Sequence, residues 1–160
     1  MRTSIPGRLL LFMAASLAVA VRAQGQEKPR PDILAQALAD QIARAHPELN
    51  VIGLHLTPPG GQDNLIVASS NRTKVGKKSD PDDLEVMTTG KAAVDTKWPR
   101  QLIDIGLPLL DRAGHTIGTV VMEVKFTYTK DPAVALKRAT EIRDQLRKQI
   151  PSKQRLFQPA

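Results

Sequence analysis

The sequence contains no cysteine, which excludes disulfide bonds, a thiol nucleophile and a lipid-modified N-terminal cysteine. It also lacks a nucleophile-elbow motif and a phosphate-binding loop. Its three histidines, His46, His55 and His115, do not have the spacing of metal ligands. We therefore expect a protein that is not an enzyme and that requires no metal or cofactor.

Long apolar runs are also missing. The longest, Leu9–Val21, has about 13 residues, whereas a helix that spans a bilayer needs about 20. Arg2 and Arg8 flank its N-terminal side, and two small-residue segments suited to signal cleavage lie at Ala18–Ala20 and Val21–Ala23. This pattern predicts a signal peptide over residues 1–23, the alternative being an uncleaved anchor.

The segment after the signal peptide is polar and contains proline, which predicts a linker over residues 24–31. We expect one domain over residues 32–150 and a tail over residues 151–160. The protein is then a bacterial exported protein, periplasmic or secreted, with no stable membrane span.

The net charge invites a nucleic-acid interpretation that the sequence does not support. The formal charge is +7, and loss of Arg2, Arg8 and Arg22 with the signal peptide lowers it to +4. The basic residues are scattered, apart from a cluster at Arg72–Lys78 that has no aromatic residue. We predict no nucleic-acid partner.

The strongest structural signal is a long hairpin over residues 103–126. Apolar residues alternate from Ile103 to Leu109 and again from Val120 to Phe126, which is typical of strands with one buried face. Asp111–Gly114 supplies turn residues between them. If the two apolar sets share a face, Leu107 pairs with Val120 and Asp104 pairs with Glu123.

Other elements follow from caps and periodicity. The predicted elements are a helix over 32–45 capped by Asp32, strands over 51–56 and 64–70, a short helix from Asp80-Pro81 to Thr89, an edge strand within 91–98, and a helix over 131–150. Together they predict an α+β fold.

Three stretches of this pattern resemble the single-module type of the extracytoplasmic PAS-like sensor domains called Cache domains. They are NLIVASSNRTKVGKKSD at 64–80, VMTTGK at 86–91 and LPLLDRAGHTIGTVVMEV at 107–124. The likeness covers Ile33–Tyr128. It implies a PAS-like five-stranded antiparallel sheet, an N-terminal helix on one face and a small-ligand pocket on the other.

The resemblance also implies a sensory role, although Cache domains normally continue into a signalling domain and this sequence ends after a short tail. We expect a sensory or accessory module that binds a small anionic or polar metabolite. The alternative is an envelope protein–protein interaction or homodimerisation module with no small ligand, motivated by the apolar stripe of the last helix.

The candidate ligand-binding residues share the second face of the sheet or the basic loop beside it. They are His55, Arg72, Lys74, Lys78, Asp104 and Thr119. Gly53 and Gly106 remove side chains from that face and leave room for a ligand. Each residue also has a structural interpretation: a partly exposed strand histidine, a solvated basic run, and an Asp104–Glu123 pair neutralised by a nearby cation such as Lys125.

Overall fold

The structure is a computed structural model and describes residues 32–160. The predicted signal peptide, residues 1–23, and linker, residues 24–31, lie outside the described residues. Within the described part of the chain, no helix is both long enough and apolar enough to span a bilayer.

Residues 32–160 contain three α-helices and five strands. They are α1 (Leu34–Ala45), β1 (Leu49–Leu56), β2 (Leu65–Ser69), α2 (Pro81–Thr89), β3 (Ala93–Lys97), β4 (Leu102–Leu110), β5 (Thr116–Lys125) and α3 (Pro132–Arg147). The fold class is therefore α+β, as predicted from the sequence.

The five strands form one antiparallel sheet in the order β2-β1-β5-β4-β3. The central hairpin has the predicted register: Leu107 pairs with Val120 and Asp104 pairs with Glu123. The turn after β4 also forms as expected, because the Asp111 carboxylate accepts a hydrogen bond from the His115 backbone N–H and Gly114 has a φ of 95°. The PAS-like sheet is confirmed.

The hydrophobic core lies on one face of the sheet, beneath α1 and α3. It is built from alternate residues of the three middle strands and from the apolar stripes of both helices: Ile52, Leu54, Leu56, Ile103, Ile105, Leu109, Val120, Met122, Leu38, Ile42, Ala139, Ile142 and Leu146. The apolar stripe of α3 is thus used inside the domain. The opposite face carries α2 and the segment that precedes it.

The N-terminus of α1 differs from its prediction. Ile33, rather than Asp32, is the capping residue, and the first free N–H of the helix, that of Leu34, donates to the carbonyl oxygen of Gln158 at 2.8 Å. Residues 151–160, predicted as a tail, include a turn of 3₁₀ helix at Gln154–Phe157 whose Leu156 is fully buried. This C-terminal segment therefore completes the start of α1 and part of the core.

Trp98 lies directly after the edge strand β3. Its side chain is in contact with Phe126, edge to face with ring centroids 5.1 Å apart, yet the residue is 63% exposed. The reason is the position of β3 at the edge of the sheet, where no further strand covers the ring.

Candidate functional site

A cavity of about 260 Å³ lies on the face of the sheet opposite α1 and α3. The sheet forms its floor, and the segment from Lys74 to Asp83, which leads into α2, forms its wall. The lining residues are Val51, Gly53, His55, Ile66, Ser69, Lys74, Lys77, Lys78, Asp80, Asp83, Asp104, Val121 and Glu123. This is the face on which the sequence predicted a pocket.

The wall is fixed by backbone hydrogen bonds to the edge strand β2. The Ile66 N–H donates to the Lys77 carbonyl, and the Gly76 N–H donates to the Ile66 carbonyl at 2.8 Å. Gly76 has a φ of 86°, a conformation that glycine adopts without strain. The basic segment consequently runs back along β2 and holds its lysines above the floor.

The start of α2 closes the wall through local caps. Asp80 and Asp83 form a capping box, with Pro81 at the first helical position. The Thr119 hydroxyl donates to the Asp83 carbonyl oxygen at 2.6 Å, which ties the first turn of α2 to β5. The carboxyls of Asp80 and Asp83 therefore lie at the rim of the cavity.

His55 links the floor to this rim. Its Nδ1 lies 2.9 Å from Asp83 Oδ2 and 3.1 Å from Ser79 Oγ. The Ser79 hydroxyl donates in turn to Asn64 Oδ1 at 2.6 Å. A proton on Nδ1 satisfies the carboxylate of Asp83 and leaves Nε2, on the side of Gly53, as a hydrogen-bond acceptor.

Three carboxylates lie side by side across β3, β4 and β5, and two of them, Asp104 and Glu123, line the cavity. Asp95 pairs with Asp104 across β3 and β4, and Asp104 pairs with Glu123 across β4 and β5. Carboxylates at directly opposed positions repel each other unless cations compensate them. The three carboxylates differ in how many cationic partners they have, and this difference separates the pKa of Glu123 from that of Asp104.

Glu123 is the best-compensated carboxylate. It is buried, but it accepts hydrogen bonds from Asn50 at 2.6 Å, from Lys74 at 3.0 Å and from Arg100 at 3.0 Å. Burial alone would raise the pKa of Glu123, but these three donors outweigh it and hold the pKa below its ordinary value. Glu123 is thus a charged anchor for the segment that carries Lys74.

Asp104 has the opposite character. Burial, together with the neighbouring charge of Glu123, raises the pKa of Asp104 above its ordinary value. Its Oδ1 atom is buried, and no hydrogen-bond donor among residues 32–160 reaches it. Asp104 is the least satisfied polar group of the floor.

Replacing Asp104 with asparagine is expected to raise the free energy of unfolding at pH 7 by about 1 kcal/mol, because it removes a partly buried, uncompensated charge. The pKa of Asp104 is higher in the folded protein than in the unfolded chain, so ionisation of this carboxyl destabilises the fold. The cost is absent below the pKa of the unfolded chain and grows as the pH rises through the pKa of the folded protein. The gain should therefore be largest at neutral pH and shrink near pH 4. Urea titrations at both pH values measure it.

Asp95→Asn is the matched control, because Asp95 is more exposed and has Lys97 as a partner. We expect its effect to stay within about 0.5 kcal/mol at either pH. A loss of stability in Asp104→Asn at pH 7 would contradict the assignment of Asp104 as uncompensated.

The structure brings four of the predicted site residues to the cavity: His55, Lys74, Lys78 and Asp104. Lys74 is held by Glu123, and Lys78 forms an ion pair with Asp63 at 2.9 Å. Two of the three lysines in the basic cluster Arg72–Lys78 therefore already have carboxylate partners.

Arg72 and Thr119 lie elsewhere. Arg72 points away from the cavity and bridges Asp32 and Asp40, at 3.1 and 2.7 Å. Thr119 is buried beneath α2 by the hydrogen bond to Asp83. Arg72 is positioned by its contacts with α1 and the segment just before it, and Thr119 is positioned by its contact with α2. The alternation of residues along a strand does not predict such tertiary contacts.

Two expectations about the surroundings were wrong. The space left by Gly106 is filled by Val86 of α2, whose Cγ2 atom would lie 3.2 Å from a Cβ at that position. The Lys125 ammonium donates to the Pro47 carbonyl oxygen, so that Lys74 and Arg100 are the cations beside the Asp104–Glu123 pair. Gly53, in contrast, does line the cavity as predicted.

Sequence reasoning missed several lining residues, above all Asp80, Asp83 and Glu123. A signal for Glu123 was available, because the predicted register already placed it beside Asp104. In the sequence, Asp80 and Asp83 have the pattern of helix caps, and the structure shows that they cap α2. They line the cavity because of where α2 packs on the sheet, which the sequence pattern does not show.

The chemistry of the cavity is that of a polar binding site. Four carboxyls and three lysines line it together with His55, Ser69 and three apolar side chains. Among residues 32–160, no group of three or more histidine, aspartate or glutamate side chains has an arrangement that could hold a metal ion.

The fold and this cavity define the class: a PAS-like α+β domain with a polar cavity on the open face of its sheet. No family model and no curated protein sequence matches the chain. Among solved structures, the GAF domain/HD domain protein from Geobacter sulfurreducens is similar, with a TM-score of 0.54 and 14% identity, covering 77% of this chain and 95% of that chain.

Two further structures are similar at lower scores. The inducer-binding domain of the PobR transcription factor from Acinetobacter has a TM-score of 0.48 and 10% identity, covering 74% of this chain and 95% of that one. The DcuS sensor domain from E. coli has a TM-score of 0.42 and 17% identity, covering 68% and 71%. At these identities the likeness concerns the fold, and the assignment to the single-module Cache type stays a prediction.

Proposed function

We propose that the protein is a small-ligand-binding module that takes up a small polar metabolite in the cavity between the sheet and the Lys74–Asp83 segment. The observation that carries this proposal is the cavity itself: about 260 Å³ of space lined by charged groups, on a sheet whose other face is fully covered. An open, polar concavity on a rigid sheet is the usual form of a binding site for a small molecule.

The sequence predicted a small anionic or polar metabolite, and the basic segment was the reason for including an anion. The cavity is less cationic than that segment, because carboxyls outnumber lysines among its lining residues and two of the lysines already have carboxylate partners. We therefore propose that the ligand is a polar metabolite, and we do not retain the option that it is an anion.

The wider setting of the proposal comes from the sequence. The predicted signal peptide supports an exported, periplasmic or secreted protein, and the resemblance to single-module Cache domains supports a sensory or accessory role. In that role, occupation of the cavity is passed on to a partner protein through the Lys74–Asp83 segment, which is the part of the wall that a ligand would contact directly.

We propose binding without catalysis. Ser79, His55 and Asp83 superficially resemble a catalytic triad, but both Ser79 and Asp83 face the same nitrogen, Nδ1, of the histidine. In a triad the histidine connects the two through its opposite nitrogens. The Ser79 hydroxyl also donates its proton to Asn64, so the histidine does not activate it.

The alternative function was an interaction or dimerisation module that uses the apolar stripe of α3. Ala135, Ala139, Ile142 and Leu146 are all buried in the core of a single chain. The feature that motivated the alternative is thus used within the domain, and we place the ligand-binding function ahead of it.

Ligand binding can be tested by thermal-shift screening of the purified protein against organic acids, amino acids, amines and nucleosides. A ligand of the cavity should raise the melting temperature, and Val121→Phe, which places a ring in the floor, should abolish the shift. Val94→Phe is the matched control, because Val94 lies on the edge strand outside the cavity and is 39% exposed.

The control variant should respond to the ligand as the unaltered protein does. A library that produces no shift at millimolar concentration, or a shift that Val121→Phe leaves unchanged, would contradict binding in this cavity.

A further inference from the structure

The row of carboxylates across β3, β4 and β5 is compensated at its two ends but not in the middle. Asp95 has Lys97 as its partner, and Glu123 has Lys74 and Arg100. Within residues 32–160, Asp104 forms no ion pair with any lysine or arginine, and its buried Oδ1 has no hydrogen-bond donor. In the described part of the chain, Asp104 is therefore the one carboxylate of this row without a direct cationic partner.

The unmatched carboxyl belongs to a residue that lines the cavity. Asp104 is one of its lining residues, together with His55 and Glu123. Of the described residues, three lysines line the cavity, and none of them forms an ion pair with Asp104. Lys74 is held by Glu123, and Lys78 is held by Asp63. A positively charged group that enters the cavity therefore meets Asp104 without first displacing a lysine from it.

A buried carboxylate without a partner has a cost that a bound donor can remove. A hydrogen bond between an ammonium group and a carboxylate is among the stronger hydrogen bonds in proteins. The Coulomb attraction is also larger beside a partly buried group than in bulk water. The chemistry that best fits this position is therefore a protonated amine with several N–H donors.

We propose that the ligand of this cavity carries a protonated amine, and that Asp104 is the residue that binds it. The inference rests on the proposed function and specifies the ligand class for the same site. A cavity of about 260 Å³ suits a small amine.

The experiment compares three probes of nearly equal size and different charge: butylammonium chloride, 1-butanol and sodium butyrate, at constant ionic strength and pH 7.5. Dissociation constants are measured by NMR titration of backbone amides of the purified protein. We expect butylammonium to bind at least roughly tenfold more tightly than butanol, in line with a charge-assisted hydrogen bond.

Two variants assign this preference to Asp104. Asp104→Asn keeps the shape of the side chain and removes its charge, so it should abolish the tenfold preference for butylammonium. Asp95→Asn, the neighbour with a cationic partner of its own, should retain it. Circular dichroism and melting temperature establish that both variants are folded, and the comparison of the three probes on the unaltered protein does not depend on any variant.

The outcomes separate this inference from the proposed function. Butyrate or butanol binding as tightly as butylammonium, or a preference that survives Asp104→Asn, overturns the amine inference and leaves a ligand-binding cavity. Failure of all three probes to bind at up to 50 mM also overturns it, since the position then does not hold the simplest amine. The proposed function fails only when the wider library also yields no ligand that Val121→Phe excludes.

Discussion

Gly118→Ala is expected to lower the free energy of unfolding by about 3 kcal/mol or more, a severe effect for the addition of one methyl group. A Cβ atom at this position would lie 2.2 Å from the backbone oxygen of His55 and 3.0 Å from Leu56 Cγ. The first contact is with backbone, so no side-chain rotation relieves it. Strands β1 and β5 would have to separate locally.

The close approach has a structural cause. The pairing of β4 with β5 shifts register between Leu109 and Leu110, opposite Gly118 and Thr116. A register shift of this kind bends the strand and brings its backbone toward a neighbour. At Gly118 that neighbour is β1, which carries His55 and Gly53 to the cavity. The substitution should therefore also weaken ligand binding.

Gly53→Ala is the matched control for this prediction. It lies in the adjacent strand, but its Cβ would meet the ring of His55, with Nε2 at 3.1 Å, and a side chain can move slightly. We expect a loss of no more than about 1 kcal/mol. Equal losses for the two variants in urea denaturation would show that backbone contact at Gly118 does not have the importance we assign to it.

Leu156→Ala is expected to cost about 3 kcal/mol, within the range for a fully buried leucine whose removal leaves a cavity. Leu156 belongs to the C-terminal 3₁₀ turn, is 0% exposed and is part of the core cluster. Gln158 and Pro159, which follow Leu156, also contact the start of α1. The loss should include fraying of that helix.

Gln154→Ala, an exposed position in the same turn, is the control and should change the free energy of unfolding by less than about 0.5 kcal/mol. Hydrogen exchange of α1 amides provides a second measurement: protection at Leu34–Ala37 should fall in Leu156→Ala and remain in the control. Unchanged stability in Leu156→Ala would mean that the C-terminal segment is dispensable.

Local rules were sufficient for much of the fold. The register of the central hairpin follows from alternation, because a shift by one residue would move the apolar set from Ile103 to Leu109 to the wrong face. The ends of α2 follow from Asp80-Pro81 and from Gly90, which ends the helix with a φ of 72°. Interactions within a few residues, or across one tight turn, determine these features.

The candidate site was predictable only in part. Alternation placed His55 and Asp104 on the second face, and both line the cavity. Alternation says nothing about which carboxylate a long basic side chain reaches, so Arg72, which binds Asp32 and Asp40, was assigned to the wrong surroundings. Thr119 was on the predicted face but beneath α2, whose position depends on packing between Val86 and Gly106.

By itself, the sequence determined the α+β class, the hairpin register and the presence of glycine and charged residues on the second face of the sheet. Only the tertiary structure decided which charges are partnered: it joined Lys74 and Arg100 to Glu123, and it left Asp104 between two compensated carboxylates. The physical reason is the distance along the chain over which each kind of interaction acts. Strand and cap preferences act between near neighbours, whereas the electrostatics of a cavity depend on residues that the order β2-β1-β5-β4-β3 brings together from distant parts of the chain.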